Sequence, residues 1–509
     1  MSHERNDPGL IIIGSGFAGL CMAIRLKQAG YHDFVVLEKN DDLGGTWRDN
    51  TYPGCACDVP SHMYSFSFEL SPAWSRMFAP QREISDYMQH CVAKYGISQH
   101  IRFGRPVERM EWDETTGRWH IATATGEAYT ARAVVSGIGA LHVPSVPEIP
   151  GAAQFTGAAF HSAQWDQSCD LSGKRVAVIG TGASAIQFIP EIAKTAAQVR
   201  VFQRTPPWIH PRPDFEIPAA VRATFAAAPP VMRAFRDGIY WSLEARAAGF
   251  AVHPRLMAPL QWMAERHIER QVSDPALRAK VTPDYTIGCK RILLSSDYYP
   301  ALARPNVDLV TEPVTRISER GLACADGSAY DADVIIYGTG FKTVEAIAEF
   351  NVAGRDGVKL QDAWRGGIEA YHGITVAGFP NFFLLLGPNT GLGHNSVIFM
   401  IESQVQHVLS CLRLLASQGG ETVEVKASAL RRFNNGIHRR LGHAVWSEGG
   451  CTSWYLDADG VNRALWPGFS FEYWARTRRA RRADYVIRRA GHPDGQTSPD
   501  ARAVNLRMP

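Results

Sequence analysis

The sequence has 509 residues, enough for about three domains of ordinary size. Hydrophobic residues make up 45% and charged residues 20%, and the net charge of +3 gives no basic or acidic excess that would favour nucleic acid or an anionic membrane as a partner. No apolar run reaches the ~18 residues of a membrane span, and the N-terminal residues lack the apolar core of a signal peptide. We therefore expect no transmembrane segment and a cytoplasmic protein.

The nine cysteines are scattered along the chain without a CxxC pair, which is typical of a reducing compartment. Cys55 and Cys57 lie closest together, but alternate residues of an extended segment cannot be bridged without strain. We interpret both as free thiols without a redox role. The spacing of the histidines and cysteines does not match a zinc site, and we expect no bound metal.

The first predicted elements form a dinucleotide-binding unit. The apolar run Leu10–Ile13 predicts a buried parallel strand, and Gly14-Ser15-Gly16-Phe17-Ala18-Gly19 follows it directly. A helical pattern covers residues 20–29, and a second strand over residues 34–37 ends at Glu38, 24 residues after Gly14. The glycines let the backbone approach a pyrophosphate, and an acid at that strand end accepts hydrogen bonds from a ribose hydroxyl.

This unit continues to about residue 145. Residues 133–137 predict another buried strand. Pro144, Pro147 and Pro150 then interrupt the chain, as a crossing between domains would. We therefore expect the first segment of one domain over residues 1–145 and a second domain over residues 146–331.

A second unit repeats the order of strand, glycine motif, helix and strand, but a basic residue follows its second strand in place of the acid. The strand-like run Val176–Ile179 precedes Gly180-Thr181-Gly182-Ala183-Ser184-Ala185, and a helical pattern covers residues 185–194. A further strand over residues 199–203 ends at Arg204, 24 residues after Gly180. An arginine at this position favours a 2′-phosphate, so the sequence predicts NADPH here and an unphosphorylated ribose in the first unit.

Later stretches complete the predicted fold. The pattern over residues 215–280 indicates a helical insertion in the second domain. Residues 333–340 predict a strand ending in glycines that returns the chain to the first domain, and residues 382–386 predict another of the same kind. We expect an α/β fold with two Rossmann-like domains, the second segment of the first domain over residues 332–490, and a disordered polar tail over residues 491–509.

The segment before the second glycine motif carries a family signature. Phe155, Gly157, His161, Trp165 and Asp166 match the pattern FxGxxxHxxxW(P/D) of the type I Baeyer–Villiger monooxygenases. The chain resembles these enzymes, which are class B flavoprotein monooxygenases of the flavin-containing monooxygenase superfamily, over nearly its whole length.

The resemblance implies FAD in the first domain, NADPH in the second, and O2 and a small-molecule ketone as substrates. In this family NADPH reduces the flavin, oxygen adds to give a C4a-peroxyflavin, and one oxygen atom is inserted next to the ketone carbonyl to form an ester or a lactone. The cofactors carry the difficult chemistry, and the protein positions and charges them. We expect a monomer or a homodimer.

Two other functions stay open. N- or S-oxygenating flavin-containing monooxygenases resemble the chain too, but they typically carry Phe or Tyr where Trp165 stands, and Trp165-Asp166 with Lys290-Arg291 argues against them. A binding or redox-sensing module would reduce flavin without oxygenating a substrate. NADPH oxidation that rises when a ketone is added would distinguish an oxygenase from such a module.

The resemblance assigns the catalytic roles to Arg291 and Asp58. Lys290-Arg291 matches the Lys-Arg pair of the family, and Asp58, four residues after Gly54, matches an aspartate beside the flavin. An arginine keeps its proton at working pH, so it stabilises the peroxide anion permanently. Asp58 would hold the guanidinium in place by a charge-assisted pair.

The other predicted positions bind cofactor or mark the signature. His161 and Trp165 are expected to share one face of a helical turn and to govern domain motion and NADP handling without contacting the ketone. His394 is a possible neighbour of the active site, although a loop histidine is more often structural. The expected cofactor-binding residues are Gly14, Gly16, Phe17, Ala18, Gly19, Glu38, Lys39, Gly45, Thr46, Trp47, Ala56, Cys57, Asp58, Tyr64, Val107, Thr181, Gly182, Ala183, Ser184, Gln187, Arg204, Thr205, Lys290, Arg291 and Trp454.

Overall fold

The computed structural model of the protein describes residues 6–343, 350–457 and 459–488. Its strands are β1 (Leu10–Ile13), β2 (Phe34–Leu37), β3 (Ile101–Arg102), β4 (Val107–Asp113), β5 (Arg118–Thr123), β6 (Ala128–Ala131), β7 (Ala133–Ser136), β8 (Ala158–His161), β9 (Arg175–Ile179), β10 (Gln198–Phe202), β11 (Ile209–His210), β12 (Leu293–Leu294), β13 (Val307–Val310), β14 (Val314–Ser318), β15 (Gly321–Cys324), β16 (Ala329–Asp331), β17 (Val334–Tyr337), β18 (Asn351–Ala353), β19 (Phe382–Leu384), β20 (Thr422–Val425) and β21 (Tyr485–Arg488).

The α-helices are α1 (Phe17–Gln28), α2 (Thr46–Asp49), α3 (Gln81–Lys94), α4 (Ala185–Ile192), α5 (Ala219–Ala227), α6 (Pro229–Glu244), α7 (Ala247–Ala251), α8 (Ala258–Gln271), α9 (Pro275–Val281), α10 (Tyr298–Leu302), α11 (Leu360–Ala363), α12 (Val397–Ser417), α13 (Ala427–Leu441), α14 (Val445–Glu448) and α15 (Ser470–Thr477). None of the helices in the described parts of the chain has both the length and the apolar character that crossing a bilayer would require.

The first parallel sheet has the strand order β19-β7-β1-β2-β3. Both faces of β1 are covered: Leu10 and Ile12 belong to one buried cluster, whereas Ile11 and Ile13 belong to another. This is why its sequence is continuously apolar instead of alternating. Strand β2, the next strand along the chain, lies on one side of β1, and the later strand β7 lies on the other. The carboxyl end of β1 is therefore a topological switch point, where such sheets bind ligands.

The second parallel sheet repeats this arrangement with the order β13-β10-β9-β17-β8. Its switch point is the carboxyl end of β9, from which the chain runs through α4 to β10. The predicted fold class of two dinucleotide-binding domains is thereby confirmed. The expected return of the chain to the first domain over residues 333–340 is wrong, because β17 pairs with β8 and β9 in the second sheet.

The reason for this difference is a close backbone approach. The turn after β9 comes so close to the end of β17 that a Cβ on Gly180 would overlap the Gly338 carbonyl, and the equivalent place beside β1 is already filled by β7 and the Gly137 carbonyl. A short apolar strand ending in glycine suits either sheet, so the pattern alone does not decide. The later strand β19 does lie in the first sheet, beside β7, as expected for residues 382–386.

Smaller elements surround the two sheets. Strands β4, β5 and β6 form an antiparallel sheet that β18 extends, and β14, β15 and β16 form another at the end of the second domain. Helices α5 to α9 occupy residues 219–281, so the helical insertion is confirmed. The predicted tail over residues 491–509 lies outside the described residues.

Candidate active site

The first glycine turn follows β1 and is shaped by three glycines. Gly14 has φ +91°, a left-handed conformation that favours glycine, and a Cβ on Gly19 would overlap the Gly14 carbonyl oxygen. Gly16 lies opposite Gly45, and a Cβ on Gly45 would lie 3.2 Å from the Gly16 Cα. The start of α1 has no side-chain cap and no acid in its first turn. Its free N–H groups can therefore receive a phosphate.

Glu38 closes this turn from the end of β2. Its Oε2 accepts hydrogen bonds from the Ser15 amide at 2.8 Å and the Ser15 hydroxyl at 2.7 Å, and its Oε1 accepts from the Asn40 amide at 3.0 Å. Arg48 adds an ion pair at 3.3 Å. Burial would raise the pKa of Glu38, but the hydrogen bonds from Ser15 and Asn40 and the Arg48 charge outweigh it, so the pKa is lowered. Glu38 is held ionised beside the predicted ribose position.

The second glycine turn follows β9 and has the same backbone form. Gly180 has φ +105°, and the start of α4 likewise has no side-chain cap and no acid in its first turn. Gly182 and Ala183 are exposed. Arg204, just beyond β10, is also exposed, and no residue in the described segments hydrogen-bonds to its guanidinium or pairs with it. This arginine is available to an external anion.

Lys290, which follows the helical insertion in the sequence, places a second positive charge near Arg204. Its Nζ lies 5.0 Å from the centre of the Tyr285 ring. Partial burial, and then the nearby charge of Arg204, lower the pKa of Lys290. The resemblance implies that Arg204 binds the 2′-phosphate of NADPH and that Lys290 contacts NADP, and both remain predictions.

Arg291 and Asp58 form an ion pair across 233 residues of sequence. The Arg291 Nε and Nη2 donate to the Asp58 Oδ2 at 2.8 and 2.6 Å. The charge of Asp58 is the main cause that raises the pKa of Arg291, so the guanidinium stays charged at any working pH. The exposed fractions of the two side chains are 35% and 25%, so the pair is partly open to a bound molecule.

The loop over residues 50–58, which carries Asp58 and which the resemblance implies to lie beside the flavin, is attached to the second domain. The Gln187 side chain, on α4, donates to the Ala56 carbonyl at 3.0 Å and accepts from the Tyr52 hydroxyl at 2.9 Å. A Cβ on Gly54 would lie 2.8 Å from the Gln187 carbonyl. Gln187, expected to bind cofactor, thus also connects the two dinucleotide units.

The signature residues lie at the junction of the domains. His161 ends β8, and its Nδ1 accepts from the Ala163 amide at 3.1 Å while its ring packs 5.5 Å from the Phe341 ring. The Trp165 ring lies 6.5 Å from the Tyr52 ring and 5.3 Å from the Phe188 ring. The expectation of one shared helical face is wrong, because a strand and a short 3-10 turn over residues 162–164 carry these residues.

Other predicted positions differ in their surroundings. Trp47 donates from its Nε1 to the Tyr64 hydroxyl at 3.1 Å, and the Phe17 ring lies 5.3 Å from the Tyr64 ring, so these three side chains form an aromatic cluster near the first turn.

Three other predicted positions lie apart from this cluster. Lys39 and Trp454 are exposed, and Val107 begins an antiparallel strand. For these last positions the structure gives no contact that identifies a ligand.

His394 belongs to a buried polar cluster, and sequence reasoning missed its central residue. Glu244, at the end of α6, accepts from the Asn395 side chain at 2.9 Å and the Ser470 hydroxyl at 2.7 Å, and lies 3.4 Å from the His394 Nε2. These contacts hold the insertion against the loop before α12 and the start of α15. No local signal marks Glu244, because its partners come from distant parts of the chain.

The oxidation state of the cysteines differs from the expectation at one pair. Cys55 and Cys57 are free, as expected, and burial raises the pKa of the Cys55 thiol to about 11. Cys289 and Cys451 form a disulfide, however, so the expectation of a fully reduced chain is wrong for these two. They are 162 residues apart, and no spacing pattern indicated the pairing.

The residues present fit two dinucleotides. Each turn offers an uncapped helix start and a glycine cradle that a side chain would fill. The first turn ends in a buried acid suited to a ribose hydroxyl, and the second in an exposed arginine suited to a 2′-phosphate. The arrangement can therefore hold FAD in the first unit and NADPH in the second, with Arg291 and Asp58 in the loops between them.

Comparisons with known proteins agree with this geometry. The pyridine nucleotide-disulphide oxidoreductase family matches residues 11–228. A Baeyer-Villiger monooxygenase of Pseudomonas aeruginosa is 51% identical over 468 residues, which are 92% of this chain and 89% of that protein. A Baeyer-Villiger monooxygenase of Streptomyces coelicolor is 48% identical over 480 residues, which are 94% of this chain and 92% of that protein.

The fold is also similar to solved structures. One is OTEMO in complex with FAD and NADP, with a TM-score of 0.82 and 28% sequence identity. The alignment covers 93% of this chain and 97% of that protein. The similarity therefore extends over both parallel sheets of this chain.

Proposed function

Because the chain belongs to the Baeyer–Villiger monooxygenase family, we propose that Arg291 is its catalytic residue and that Asp58 positions it. The enzyme is an FAD-containing, NADPH- and O2-dependent monooxygenase that inserts one oxygen atom next to a ketone carbonyl. Its substrate is a small-molecule ketone, and its product is an ester or a lactone. The N- or S-oxygenating alternative is not favoured by any relative described above.

The ion pair between Arg291 and Asp58 carries this proposal. Two guanidinium nitrogens bind one carboxylate oxygen of Asp58, which holds that edge of the guanidinium in place. The third nitrogen, Nη1, has no hydrogen bond to any residue of the described segments. Its N–H groups can therefore donate to a developing negative charge on oxygen. Because the donors are already oriented, little reorganisation is needed when the charge forms.

Bound FAD and NADPH supply the redox and oxygen-activating chemistry, and the chain holds and orients them. Glu38 accepts from the FAD ribose, and Gly16 leaves room for the pyrophosphate. Arg204 and Lys290 bind the 2′-phosphate and nicotinamide side of NADPH. Gln187 keeps the flavin-side loop against the second domain, so that Asp58 stays within reach of Arg291.

The domain organisation and the setting of the enzyme complete the proposal. The FAD domain consists of residues 1–145 and a second segment that begins after β17, and the NADP domain extends from residue 146 through β17. Trp165 and His161 transmit motion between these domains. We place the enzyme in the cytoplasm, as a monomer or a homodimer.

The decisive experiment separates flavin reduction from oxygen insertion. Replacing Arg291 with Ala removes the charge and the Nη1 donor, so ester formation from a responsive ketone should fall by ~10²–10³-fold or more. Anaerobic reduction of the flavin by NADPH, followed in a stopped-flow instrument, should persist. In the presence of oxygen the variant should release hydrogen peroxide instead of product.

A matched control removes an ion pair of the same kind elsewhere. Arg440 binds Glu472 with two hydrogen bonds of 2.8 Å, and the exposed fractions of 36% and 27% resemble those of Arg291 and Asp58. Arg440→Ala should leave ester formation unchanged. Asp58→Ala should give a milder loss than Arg291→Ala, since the charge remains and only its orientation is lost. Near-normal ester formation by Arg291→Ala would contradict the assignment.

A further inference from the structure

The disulfide between Cys289 and Cys451 joins two segments of the active-site region. Cys289 immediately precedes Lys290 and Arg291, and Cys451 lies three residues before Trp454. The Cα atoms of the two cysteines are 6.2 Å apart. The bond therefore ties the loop that carries the catalytic arginine to the C-terminal segment over residues 449–455.

Few other contacts hold this C-terminal segment. The Thr286 amide donates to the Gly449 carbonyl at 3.0 Å, and a Cβ on Gly449 would lie 2.6 Å from the Cβ of Cys289. Within the described residues, the backbone N–H groups of residues 450 to 452 donate no hydrogen bond. Tyr455, at the other end of the segment, is buried, and its carbonyl accepts from the Arg463 amide at 3.2 Å. The disulfide is consequently the main link that fixes residues 450–452 on the arginine loop.

The C-terminal segment leads directly into the catalytic pair. Tyr455 is buried, and although burial raises its pKa to about 12, the charge of Arg291 acts on it in the opposite direction. The Trp454 ring lies 4.3 Å from the Tyr455 ring, and Trp454 remains 53% exposed. The disulfide thus restrains the start of the segment that brings Tyr455 to Arg291.

We propose that Cys289 and Cys451 form a peroxide-responsive modification site that controls how tightly the enzyme holds NADP. The proposal rests on the proposed function, because a flavin oxygenase that misses its substrate releases hydrogen peroxide beside this pair. In the oxidised form the disulfide holds the C-terminal segment on the arginine loop, and NADP binds tightly. In the dithiol form the segment is released and NADP binds weakly.

The chemistry balances with hydrogen peroxide as the oxidant. Cys451 is partly exposed, whereas Cys289 is fully buried, so Cys451 is the thiol that peroxide reaches first. Its thiolate attacks one peroxide oxygen, the O–O bond breaks, and a sulfenic acid and hydroxide form. The Cys289 thiol then attacks the sulfenic sulfur and water leaves. Two thiols and one hydrogen peroxide thus give one disulfide and two waters, and a dithiol reductant reverses the change.

The first test counts and locates thiols in the full-length, FAD-loaded protein. After treatment with hydrogen peroxide and denaturation, we expect seven free thiols, and nine after reduction with dithiothreitol. Peptide mapping without reductant should give one linked pair that contains Cys289 and Cys451. Nine free thiols after peroxide treatment, or a different linked pair, would overturn the proposal.

The second test measures what the bond does. Oxidised wild-type protein should bind NADP+ about 5-fold or more tightly than reduced protein, the lower end of typical coupling between sites. Amide hydrogen exchange of residues 449–456 should be slower in the oxidised form. Cys451→Ser should behave as reduced protein under both conditions, whereas Cys169→Ser, which removes a partly exposed free cysteine, should still respond.

Equal NADP+ affinity and equal exchange in the two redox states would refute this inference while leaving oxygen insertion untouched. Conversely, a protein that shows the disulfide and the affinity change but converts no ketone would refute the proposed function alone. The two proposals therefore fail in distinguishable ways.

Discussion

The two glycine turns have nearly the same backbone and very different surroundings. In the first, Glu38 is 4% exposed and accepts hydrogen bonds from Ser15 and Asn40. In the second, Arg204 is exposed and makes no such bond within the described segments. Glu38 is thus hydrogen-bonded within the protein without a cofactor, whereas the Arg204 side chain is available to a ligand.

This difference fits the two cofactors. A flavin stays bound through many turnovers, so its site can share contacts with the core of the domain. NADPH must enter and NADP+ must leave in each cycle, so a site built from exposed cations suits it. Changes at the first turn should therefore affect flavin content and stability, and changes at the second should affect only nucleotide binding.

The largest effect is expected from Gly16→Val. Its side chain would fill the space between Gly16 and Gly45 and block the pyrophosphate, so the protein should purify without flavin and colourless. The matched variant Gly182→Val, at the equivalent place in the second turn, should purify yellow but bind NADPH poorly. The ratio of flavin absorbance to protein absorbance measures the difference. A yellow, fully loaded Gly16→Val protein would contradict the assignment of the first turn.

Next in size is Arg204→Ala. Losing charge-assisted bonds to the 2′-phosphate costs about 1.5–3 kcal/mol, so the Kd of NADPH should rise ~10–150-fold while that of NADH changes little. Arg200→Ala is the control, since Arg200 lies in β10, four residues before Arg204, and donates to the Asp331 carbonyl. If Arg204→Ala retains the wild-type preference for NADPH over NADH, the second turn has been assigned wrongly.

A smaller effect is expected from Glu38→Gln on the flavin-free protein. At neutral pH the variant should lose about 1.5–3 kcal/mol of unfolding free energy, because hydrogen bonds to a charged group are lost. The folded pKa of Glu38 is lowered from 4.5, so this stabilisation is present above that pH and is lost as the pH falls through the folded value. Urea unfolding should show the cost near pH 7 and less of it in acid. Arg204→Ala should show no cost at either pH.

The smallest effect concerns the pH dependence of NADPH binding. Since burial and Arg204 lower the pKa of Lys290 from 10.5, its charge is lost at a lower pH than that of an ordinary lysine. NADPH affinity should therefore weaken as the pH rises towards 10. Lys290→Arg should abolish this decline, and Arg204→Ala should move it to higher pH by removing one cause of the shift. A Kd independent of pH in the wild type would argue against a role for Lys290.

The sequence alone determined those elements whose structure depends on residues close together in the chain. The runs at β1 and β9 are apolar on both faces, and each is followed by a glycine motif that allows only one kind of turn. The helices of the insertion follow from their own pattern. The identities of Glu38 and Arg204 also follow from a fixed count along the chain, because one strand, one turn and one helix separate them from the glycines.

Tertiary structure decided everything that depends on the path of the chain. The strand β17 could have joined either parallel sheet, but β7 fills the corresponding place beside β1, and β17 pairs with β9. Cys289 meets Cys451, and Glu244 meets His394, only because the fold brings distant segments together. The Arg291–Asp58 pair could be expected from the family's motifs, but the binding of two guanidinium nitrogens to one Asp58 oxygen could not. Contacts between remote residues leave no period or spacing in a single sequence, and that is the physical reason for the limit.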